Sequence, residues 1–290
     1  MSVSTAAASP SQPWLAHYAH PTPWDTQFAP LSVPEMFAES AARFADRPLV
    51  DFMGRQFTYA ELAGEARAFA AGLQRLGIGK GDRVGLFLPN VPIYLAAYYG
   101  AMIAGATVVN FSPLYTVTEL AAQVADSGTR LLVTVDSSAL LPTAEAVMAQ
   151  SALEWLVVGS LAEQLPWLKG LAMRLLARQT LSPVPPEALR WNDLLLQNEP
   201  APIQLDPEED LALLQYTGGT TGTPKGAMLT HQNITANTRQ VEAIDPRQEE
   251  RDMIVGVLPM FHVFANICVL NRTVAHGGCI AMLQIGRAHV

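Results

Sequence analysis

One stretch of the chain concentrates residue types that bind phosphate. The string YTGGTTGTPKG, from Tyr216 to Gly226, is rich in glycine and threonine and contains one lysine. Glycine lets the backbone approach a ligand closely, and successive backbone N–H groups in such a turn form a concavity for anions. Threonine hydroxyls add hydrogen-bond donors, and lysine adds a mobile positive charge suited to phosphate. The stretch therefore predicts a loop that holds a polyphosphate.

The order of residues in this loop differs from that of a Walker A loop. Walker A requires Gly-Lys followed by Ser or Thr, whereas here Pro224 precedes Lys225 and Gly226 follows it. A Thr/Gly-rich surface loop without a ligand is the simpler alternative. Because an eleven-residue string with a fixed lysine is more specific than an isolated glycine match, we adopt phosphate binding as the interpretation.

The string and its flanks resemble the phosphate-binding signature of the AMP-forming adenylating enzymes. This superfamily includes acyl-CoA synthetases, firefly-type luciferases and peptide-synthetase adenylation domains. The form LLQYTGGTTG, with Gly219 where many members have Ser, is most similar to the bacterial long- and medium-chain fatty acid–CoA ligases. Similar strings recur from about Trp24 to Leu283, namely GRQFTYAEL, GDRVGLFLPNVP, AGATVVNFSPLYTVTEL and LPMFHVFA.

The resemblance implies an ATP-dependent acid–thiol ligase. Such an enzyme converts a fatty acid, ATP and CoA into acyl-CoA, AMP and pyrophosphate through acyl-AMP. In this interpretation the loop contacts the β- and γ-phosphates of ATP. The predicted cofactor-binding residues are Thr217, Gly218, Gly219, Thr220, Thr221, Gly222, Thr223 and Lys225. A ligase for aromatic or short-chain acids and a non-catalytic phosphate-binding fragment stay open as alternatives, because the loop does not encode the choice of acid.

His262, in LPMFHVFA, is the predicted catalytic residue. In the family the residue at this place lies near the acyl and adenylate pocket, so His262 would orient a carboxylate or phosphate, or gate the acyl channel. The alternative is a structural histidine at the start of a helix. Of the other histidines, His231 is expected to end a strand, and His276 to interact with the dipole at a helix C-terminus.

Several features of the family are not found in the sequence. The resemblance implies Mg²⁺ beside ATP, with a glutamate ligand in a Tyr-Gly-x-Thr-Glu string that binds adenine. Neither that string nor the small C-terminal domain with its catalytic lysine occurs in the 290 residues, so no metal ligand is predicted. The chain resembles roughly the first half of a ligase, and we expect it to be inactive by itself.

The last seven residues, 284–290, have the sequence QIGRAHV. The family usually continues here with a Pro-Arg-Phe-type string. The codons ATC GGA AGA GCA CAC GTC encode IGRAHV and form one reading frame of a common sequencing adapter. We therefore expect residues 284–290 to be a non-native tail derived from an adapter.

Composition narrows the classes of protein. The chain has a net charge of −8 and is half hydrophobic, which indicates a globular protein and argues against general nucleic-acid binding. The sequence shows neither a signal peptide nor an apolar run long enough to span a membrane. Cys268 and Cys279 match no zinc or redox spacing, so buried free thiols and a cytoplasmic location are expected.

The pattern of apolar residues predicts the fold. Short apolar strings alternate with helical patterns along most of the chain, which indicates parallel βαβ crossovers with helices on both faces. We predict an α/β fold that corresponds to the N-terminal part of the large domain of acyl-adenylate-forming enzymes, truncated before the C-terminal domain. Residues 1–30, rich in Pro, Ala, Ser and Thr, are predicted to be a loose tail, and residues 31–283 an incomplete AMP-binding domain.

Local signals predict where some elements begin and turn. Ser32 is expected to cap a first helix, and Thr58 with Glu61 to form a capping box for a second. A hairpin is predicted with its turn at Gly54-Arg55. One continuous helix that is ended by glycine is predicted over Phe261–Gly278.

Residues 161–181 depart from the alternation of strands and helices. The string LAEQLPWLKGLAMRLLARQTL carries Trp167, many leucines and the cations Lys169, Arg174 and Arg178. This composition is compatible with an amphipathic helix that contacts membrane lipid peripherally, on the inner face of the membrane. A helix docked on the protein body with a solvated basic edge is the preferred interpretation.

Overall fold

The computed structural model describes residues 12–217, 224–245 and 252–283. Helices and strands alternate within these ranges. The helices are α1 (Val33–Arg43), α2 (Tyr59–Arg75), α3 (Pro92–Ile103), α4 (Val117–Ser127), α5 (Leu141–Gln150), α6 (Leu161–Gln164), α7 (Trp167–Leu176), α8 (Trp191–Leu194), α9 (His231–Ala243), α10 (Val263–Ala265) and α11 (Arg272–His276). The strands are β1 (Pro48–Phe52), β2 (Arg55–Thr58), β3 (Arg83–Leu86), β4 (Thr107–Asn110), β5 (Leu131–Val135), β6 (Trp155–Gly159), β7 (Leu189–Arg190), β8 (Leu211–Thr217), β9 (Lys225–Thr230), β10 (Met253–Gly256) and β11 (Cys279–Met282).

The larger sheet in the described ranges has seven strands in the order β7-β6-β5-β3-β4-β8-β9. The pairs are parallel from β7 through β8, and β8 pairs with β9 antiparallel. Strands β4 and β5 are buried on both faces, because the helices of the crossovers cover the sheet. The predicted α/β fold with parallel βαβ units is confirmed, and an antiparallel hairpin ends the sheet at one edge.

A second sheet has the order β10-β11-β1-β2 in the part of the chain that the structure describes. Strand β1 pairs with β11 in parallel and with β2 in a hairpin. The predicted hairpin is present, but its turn lies one residue earlier than expected, at Met53-Gly54. Both residues have positive φ, 56° for Met53 and 92° for Gly54, as the twist of a tight hairpin requires.

Helix α3 lies in the core. Every residue from Pro92 to Met102 is buried, which is typical of a helix that is apolar on all sides. Its tyrosine hydroxyls keep hydrogen-bond partners: Tyr98 donates to Asn266 Oδ1 and Tyr99 to Asn271 Oδ1, both at 3.1 Å. These bonds tie α3 to the π-helical turn Asn266–Asn271 between α10 and α11.

Capping boxes begin four of the helices. The N-cap residues Ser32, Thr58, Thr116 and Thr230 each accept a hydrogen bond from the backbone N–H three residues later, and the side chain at that position bonds back. The caps predicted at Ser32 and Thr58 are therefore confirmed. Each box satisfies two backbone donors that the first turn of a helix leaves open.

Two predicted helices are interrupted. Residues 161–181 form α6, α7 and a short 3₁₀ turn rather than one helix, because Pro166 cannot continue the hydrogen-bond pattern and disfavours helical backbone at Leu165. The segment predicted from Phe261 begins helical structure at Val263, passes through the π-helical turn and ends at Gly277 with φ 76°. The predicted ending at glycine is confirmed, with Gly277 as the C-cap.

The first described residues lie against α9. Thr22 donates from Oγ1 to the carbonyl oxygen of Ala243 at 2.9 Å, and Arg239 donates to the carbonyl oxygen of Ala29 at 2.8 Å. Residues 1–11 of the predicted tail and the whole predicted adapter-derived segment 284–290 lie outside the described residues. In the described ranges, no helix has the length and apolar character needed to cross a membrane.

Candidate phosphate-binding site

The predicted phosphate loop joins the two strands of the antiparallel hairpin. Strand β8 ends at Thr217 and β9 begins at Lys225, and these two residues are direct partners in the ladder. Thr217 Oγ1 donates to the carbonyl oxygen of Lys225 at 3.4 Å. Two of the eight predicted ligands are thus placed side by side at the base of the loop. The other six lie outside the described residues: Gly218, Gly219, Thr220, Thr221, Gly222 and Thr223.

Tyr216 holds the base of the hairpin in place. Its ring covers its cross-strand partner Gly226, where an added Cβ would lie 3.5 Å from the ring. The Tyr216 hydroxyl donates to the carboxylate of Asp126 on α4. Burial, together with Asp126, raises the pKa of Tyr216, so the hydroxyl stays protonated and keeps donating. Since side chains alternate along a strand, buried Tyr216 leaves Thr217 on the exposed side.

The ammonium group of Lys225 is available to an anion. Lys225 is exposed, and no carboxylate of the described residues pairs with it. The other two lysines have partners there: Lys80 pairs with Asp210 at 2.7 Å, and Lys169 donates to a backbone carbonyl at 2.7 Å. A phosphate group can therefore bind Lys225 without displacing an ion pair between described residues.

His262 caps the start of α10. Its Nδ1 accepts a hydrogen bond from the backbone N–H of Phe264 at 3.3 Å, and its carbonyl oxygen accepts from Asn266 N–H at 2.9 Å. The expected position at a helix start is confirmed. Because Nδ1 acts as an acceptor, the proton of the neutral ring lies on Nε2. The exposed imidazole can therefore donate from Nε2 to an anionic oxygen.

Asn90 fixes the segment that leads to His262. Its Nδ2 donates to the carbonyl oxygens of Gly256 and Leu258 at 3.1 and 2.9 Å, and its Oδ1 accepts from Met260 N–H at 2.9 Å. Asn90 is buried, so these bonds are shielded from water. They define the path of the chain between β10 and the histidine.

A buried chain of hydrogen bonds connects the two parts of the candidate site. Gln215, two residues before Thr217, accepts from Asn110 Nδ2 at 3.4 Å. The Tyr94 hydroxyl lies 2.9 Å from Asn110 Oδ1 and 2.8 Å from the carbonyl oxygen of Met260, two residues before His262. We call Gln215, Asn110 and Tyr94 the tyrosine–amide chain. These contacts connect β8, the strand before the predicted phosphate loop, to the segment that precedes His262.

Comparison with known proteins identifies the family. A family model described as AMP-binding enzyme matches residues 37–289, most of the chain. The chain belongs to this AMP-binding enzyme family. A long-chain-fatty-acid–CoA ligase of Bacillus subtilis is 35% identical over 273 residues, which cover 92% of this chain and 48% of that relative. A long-chain-fatty-acid–CoA ligase of Escherichia coli is 40% identical over 268 residues, which cover 87% of this chain and 46% of that relative.

A solved structure shares the arrangement of the AMP-binding chain. The crystal structure of a long-chain-fatty-acid-CoA ligase from Archaeoglobus fulgidus superposes with a TM-score of 0.72 at 26% identity, over 90% of this chain and 49% of that protein. The chain therefore spans about half the length of the relatives and of the structure that it matches. The resemblance read from the phosphate loop and its flanking strings is confirmed at the level of the family and fold.

The residues of the tyrosine–amide chain were not predicted as site residues of the AMP-binding fold. Asn110 follows the apolar pair Val108-Val109 at the end of β4, at the carboxyl edge of a parallel sheet where ligands of such folds bind. That polar residue was a usable signal. Tyr94 gave no such signal, because it lies within an apolar helix and its role depends on partners 16 and 166 residues away in sequence.

His231 does not end a strand, contrary to expectation. It is the first residue of α9, after the N-cap Thr230, and its Nδ1 accepts from the backbone N–H of Val33 at 3.3 Å. The strand ends one residue earlier because Thr230 caps the helix. His276 lies in the last turn of α11, as predicted, and its ring contacts the carboxylate of Glu242.

Proposed function

We propose that this chain is the phosphate-binding half of an AMP-forming fatty acid–CoA ligase. The proposed reaction joins a fatty acid to ATP, which gives acyl-AMP and pyrophosphate. The sulfur of CoA then attacks the acyl carbon and releases AMP. The observation that carries the proposal is the pairing of Thr217 with Lys225 at the base of the β8–β9 loop, in a chain whose relatives are named as such ligases.

Each part of the proposed site has a separate task in adenylation. A carboxylate oxygen attacks the α-phosphorus of ATP, and the bond from that phosphorus to the bridging oxygen breaks. The threonines and backbone of residues 217–223 would donate to the β- and γ-phosphates. Lys225 would balance the charge that develops on departing pyrophosphate, which is the main electrostatic demand of phosphoryl chemistry.

His262 would orient the reacting groups. Its Nδ1 is occupied by the Phe264 N–H, so Nε2–H is the donor that remains for a carboxylate or phosphate oxygen. The tyrosine–amide chain would hold His262 and Thr217 in a fixed relation through Met260 and Gln215. We assign His262 a role in positioning and charge stabilisation and no proton transfer.

Mg²⁺ is proposed to accompany ATP, as the family resemblance implies. In the described ranges, no group of three or more His, Cys, Asp or Glu side chains could hold a metal ion. The phosphates of ATP and the glutamate of the Tyr-Gly-x-Thr-Glu string, which does not occur in this sequence, would hold the ion instead.

The decisive experiment measures acid-dependent exchange of labelled pyrophosphate into ATP. The protein is expressed from the source locus with the reading frame followed beyond codon 284. We expect exchange with long-chain acids. Exchange with aromatic or short acids alone would favour a ligase of that type, and ATP binding without exchange would favour a non-catalytic phosphate-binding protein.

Lys225→Ala provides the residue-level test in the same assay. We expect kcat/KM for ATP to fall about a hundredfold, because one charge contact to the leaving group is removed. Lys169→Ala is the matched control, since it deletes another exposed lysine and, in an assay without lipid, should leave exchange unchanged. Equal activity of Lys225→Ala and the unaltered protein would refute the role of the lysine.

We also propose that the protein contacts a membrane peripherally through residues 161–181. Long-chain fatty acids partition into lipid, so a ligase for them gains from a position at the membrane surface. The apolar side chains that α7 exposes favour this contact over a helix docked entirely on the body. Fatty acid, ATP and CoA remain the proposed small-molecule partners.

A further inference from the structure

Helix α7 directs its apolar side chains away from the protein body. Because successive residues of an α-helix are rotated by about 100°, these side chains lie on one side of α7 and cover about half of its circumference. Gly170 is the residue of α7 that is buried. The outward residues, with their exposed fractions, are Trp167 (75%), Leu168 (61%), Leu171 (47%), Leu175 (66%) and Leu176 (80%). We call these five residues the α7 outer face.

The inner side of α7 is fixed by close contact. A Cβ added to Gly170 would lie 2.3 Å from the carbonyl oxygen of Ala162, so only glycine allows this approach. Lys169 donates to the carbonyl oxygen of Met53 at 2.7 Å, and Arg174 pairs with Glu163 at 2.8 Å. Because the helix is held from this side, the α7 outer face cannot rotate inward without breaking these contacts.

Cations lie within and just after α7, and the acids near them, Asp136, Glu163 and Asp193, line the cleft with Arg174 and Arg178. The stretch from Pro166 to Leu181 contains three cations and no acid, in a chain of net charge −8. Helical geometry places Lys169 and Arg174 at the two borders of the apolar arc. Lys169 contacts an uncharged carbonyl, and Arg178 has no ion-pair partner among the described residues, so no ion pair there competes with a lipid phosphate for either side chain. An apolar face bordered by cations is complementary to an anionic lipid surface.

The exposed apolar side chains of α7 lie at a different place from those of strands β9 and β10. Met228 lies on β9, and Met253 and Val255 lie on β10. β9 and β10 are the edge strands of the two sheets. Helix α7 lies by the opposite edges, where Arg174 lines a cleft with Arg190 of β7, and Lys169 contacts the β1–β2 turn. A partner that covered the edge strands β9 and β10 would therefore leave the α7 outer face exposed.

We infer that the α7 outer face docks on an anionic phospholipid bilayer. Trp167 and the four leucines enter the boundary between headgroups and acyl chains, while Lys169 and Arg178 meet lipid phosphates. The inference deepens the peripheral contact proposed above and rests on it. It involves neither ATP nor a fatty acid, so its failure would leave the ligase proposal standing, and failure of the ligase assay would leave the inference standing.

The test is co-sedimentation of the 290-residue chain with vesicles. Vesicles of phosphatidylcholine alone are compared with vesicles that also contain phosphatidylglycerol. We expect binding that is stronger on the anionic vesicles, weakens with salt, and shifts the tryptophan emission of the chain to shorter wavelength, because Trp167 enters the lipid. The double variant Leu171→Glu/Leu175→Glu should lower the bound fraction at limiting lipid about tenfold or more, because two side chains leave the apolar boundary.

A matched variant controls for non-specific adsorption. Met253→Glu/Val255→Glu also adds two carboxylates to an exposed apolar pair and should change vesicle binding less than about twofold. A charge variant, Lys169→Gln/Arg178→Gln, should lose the preference for anionic vesicles and keep the apolar contact. Circular dichroism at matched concentration confirms that each variant is folded.

Two results would overturn the inference. One is vesicle binding that survives Leu171→Glu/Leu175→Glu or that falls equally in the β10 control. The other is a dimer in sedimentation equilibrium that this variant dissociates, with no binding to vesicles, which would assign the α7 outer face to a second copy of the chain.

Discussion

Acid is expected to destabilise the fold through His231. His231 is the first residue of α9, directly after the β8–β9 hairpin, and it is 1% exposed. Its Nδ1 accepts a hydrogen bond from the backbone N–H of Val33, the first residue of α1. Burial lowers the pKa of His231 from 6.5 to about 4, since the imidazolium ion would lose its water. Lys80 lowers this pKa further, whereas Asp210 and Glu35 act in the opposite direction.

The direction and size of the effect follow from the two pKa values of His231. Between pH 4 and pH 6.5 the unfolded chain binds a proton that the folded chain does not. Stability is therefore full above pH 6.5, falls as the pH drops below this value, and levels off below about pH 4. Linkage with these values gives a loss of about 2 kcal/mol in the free energy of unfolding between pH 7 and pH 5.

The assay is urea unfolding followed by tryptophan fluorescence at pH 7 and pH 5. His231→Asn retains an acceptor near the Val33 N–H but cannot be protonated, so its loss of stability on acidification should be smaller by about 2 kcal/mol. His20→Asn, at an exposed position, should behave as the unaltered chain does. An unchanged pH dependence in His231→Asn would refute the reasoning that His231 is held neutral.

Two further stability predictions test the packing around the site and under α7. Tyr94→Phe removes the one hydroxyl that lies within bonding distance of Asn110 Oδ1 and the Met260 carbonyl oxygen. A buried acceptor then loses its donor, which should cost about 1–3 kcal/mol, whereas Tyr18→Phe, near the surface, should cost less. Equal urea midpoints for the two variants would contradict the network. Gly170→Ala should lower the midpoint, because its Cβ meets the Ala162 carbonyl oxygen at 2.3 Å. The matched change Gly64→Ala, in an open helical position, should raise the free energy of unfolding by about 0.5–1 kcal/mol. If both glycine variants shifted the urea midpoint in the same direction, the close contact between Gly170 and Ala162 would be disproved.

Short-range signals predicted much of the fold. Apolar strings of four or five residues between helical patterns predicted the parallel strands, because strands buried on both faces have continuous apolar sequence. The N-caps at Ser32 and Thr58 were predicted because a hydroxyl followed three residues later by glutamate satisfies two open donors locally. Such signals need no knowledge of the distant chain.

Two predicted elements differ from the structure, the helix over 161–181 and the turn of the β1–β2 hairpin. Pro166 interrupts the predicted helix over 161–181 because it lacks an N–H and crowds the preceding residue. The β1–β2 turn uses Met53 at positive φ, 56°, although methionine is unfavourable there. The antiparallel pairing of β1 with β2 required this two-residue turn, so pairing of the strands decided its position over the preference of the residue.

Contacts between distant residues explain what the sequence could not predict at the site. The Tyr94 hydroxyl meets a carbonyl 166 residues away, and nothing near Tyr94 in sequence indicates this partner. The π-helical turn Asn266–Asn271 is likewise set by the meeting of its asparagines with Tyr98 and Tyr99. By contrast, the types of residue in the loop predict a polyphosphate site from local sequence alone. That chemistry stays a prediction, and the hairpin places Thr217 beside Lys225.

The most direct test of the central claim is the binding of inorganic tripolyphosphate to the 290-residue chain, measured by isothermal titration calorimetry. We expect saturable binding that weakens about tenfold in Lys225→Ala, because the loss of one ammonium removes a principal contact to phosphate. Lys169→Ala should bind as the unaltered chain does, and adenosine should not compete. Tripolyphosphate binding of equal strength in Lys225→Ala and Lys169→Ala would contradict the assignment of the β8–β9 loop as the phosphate site.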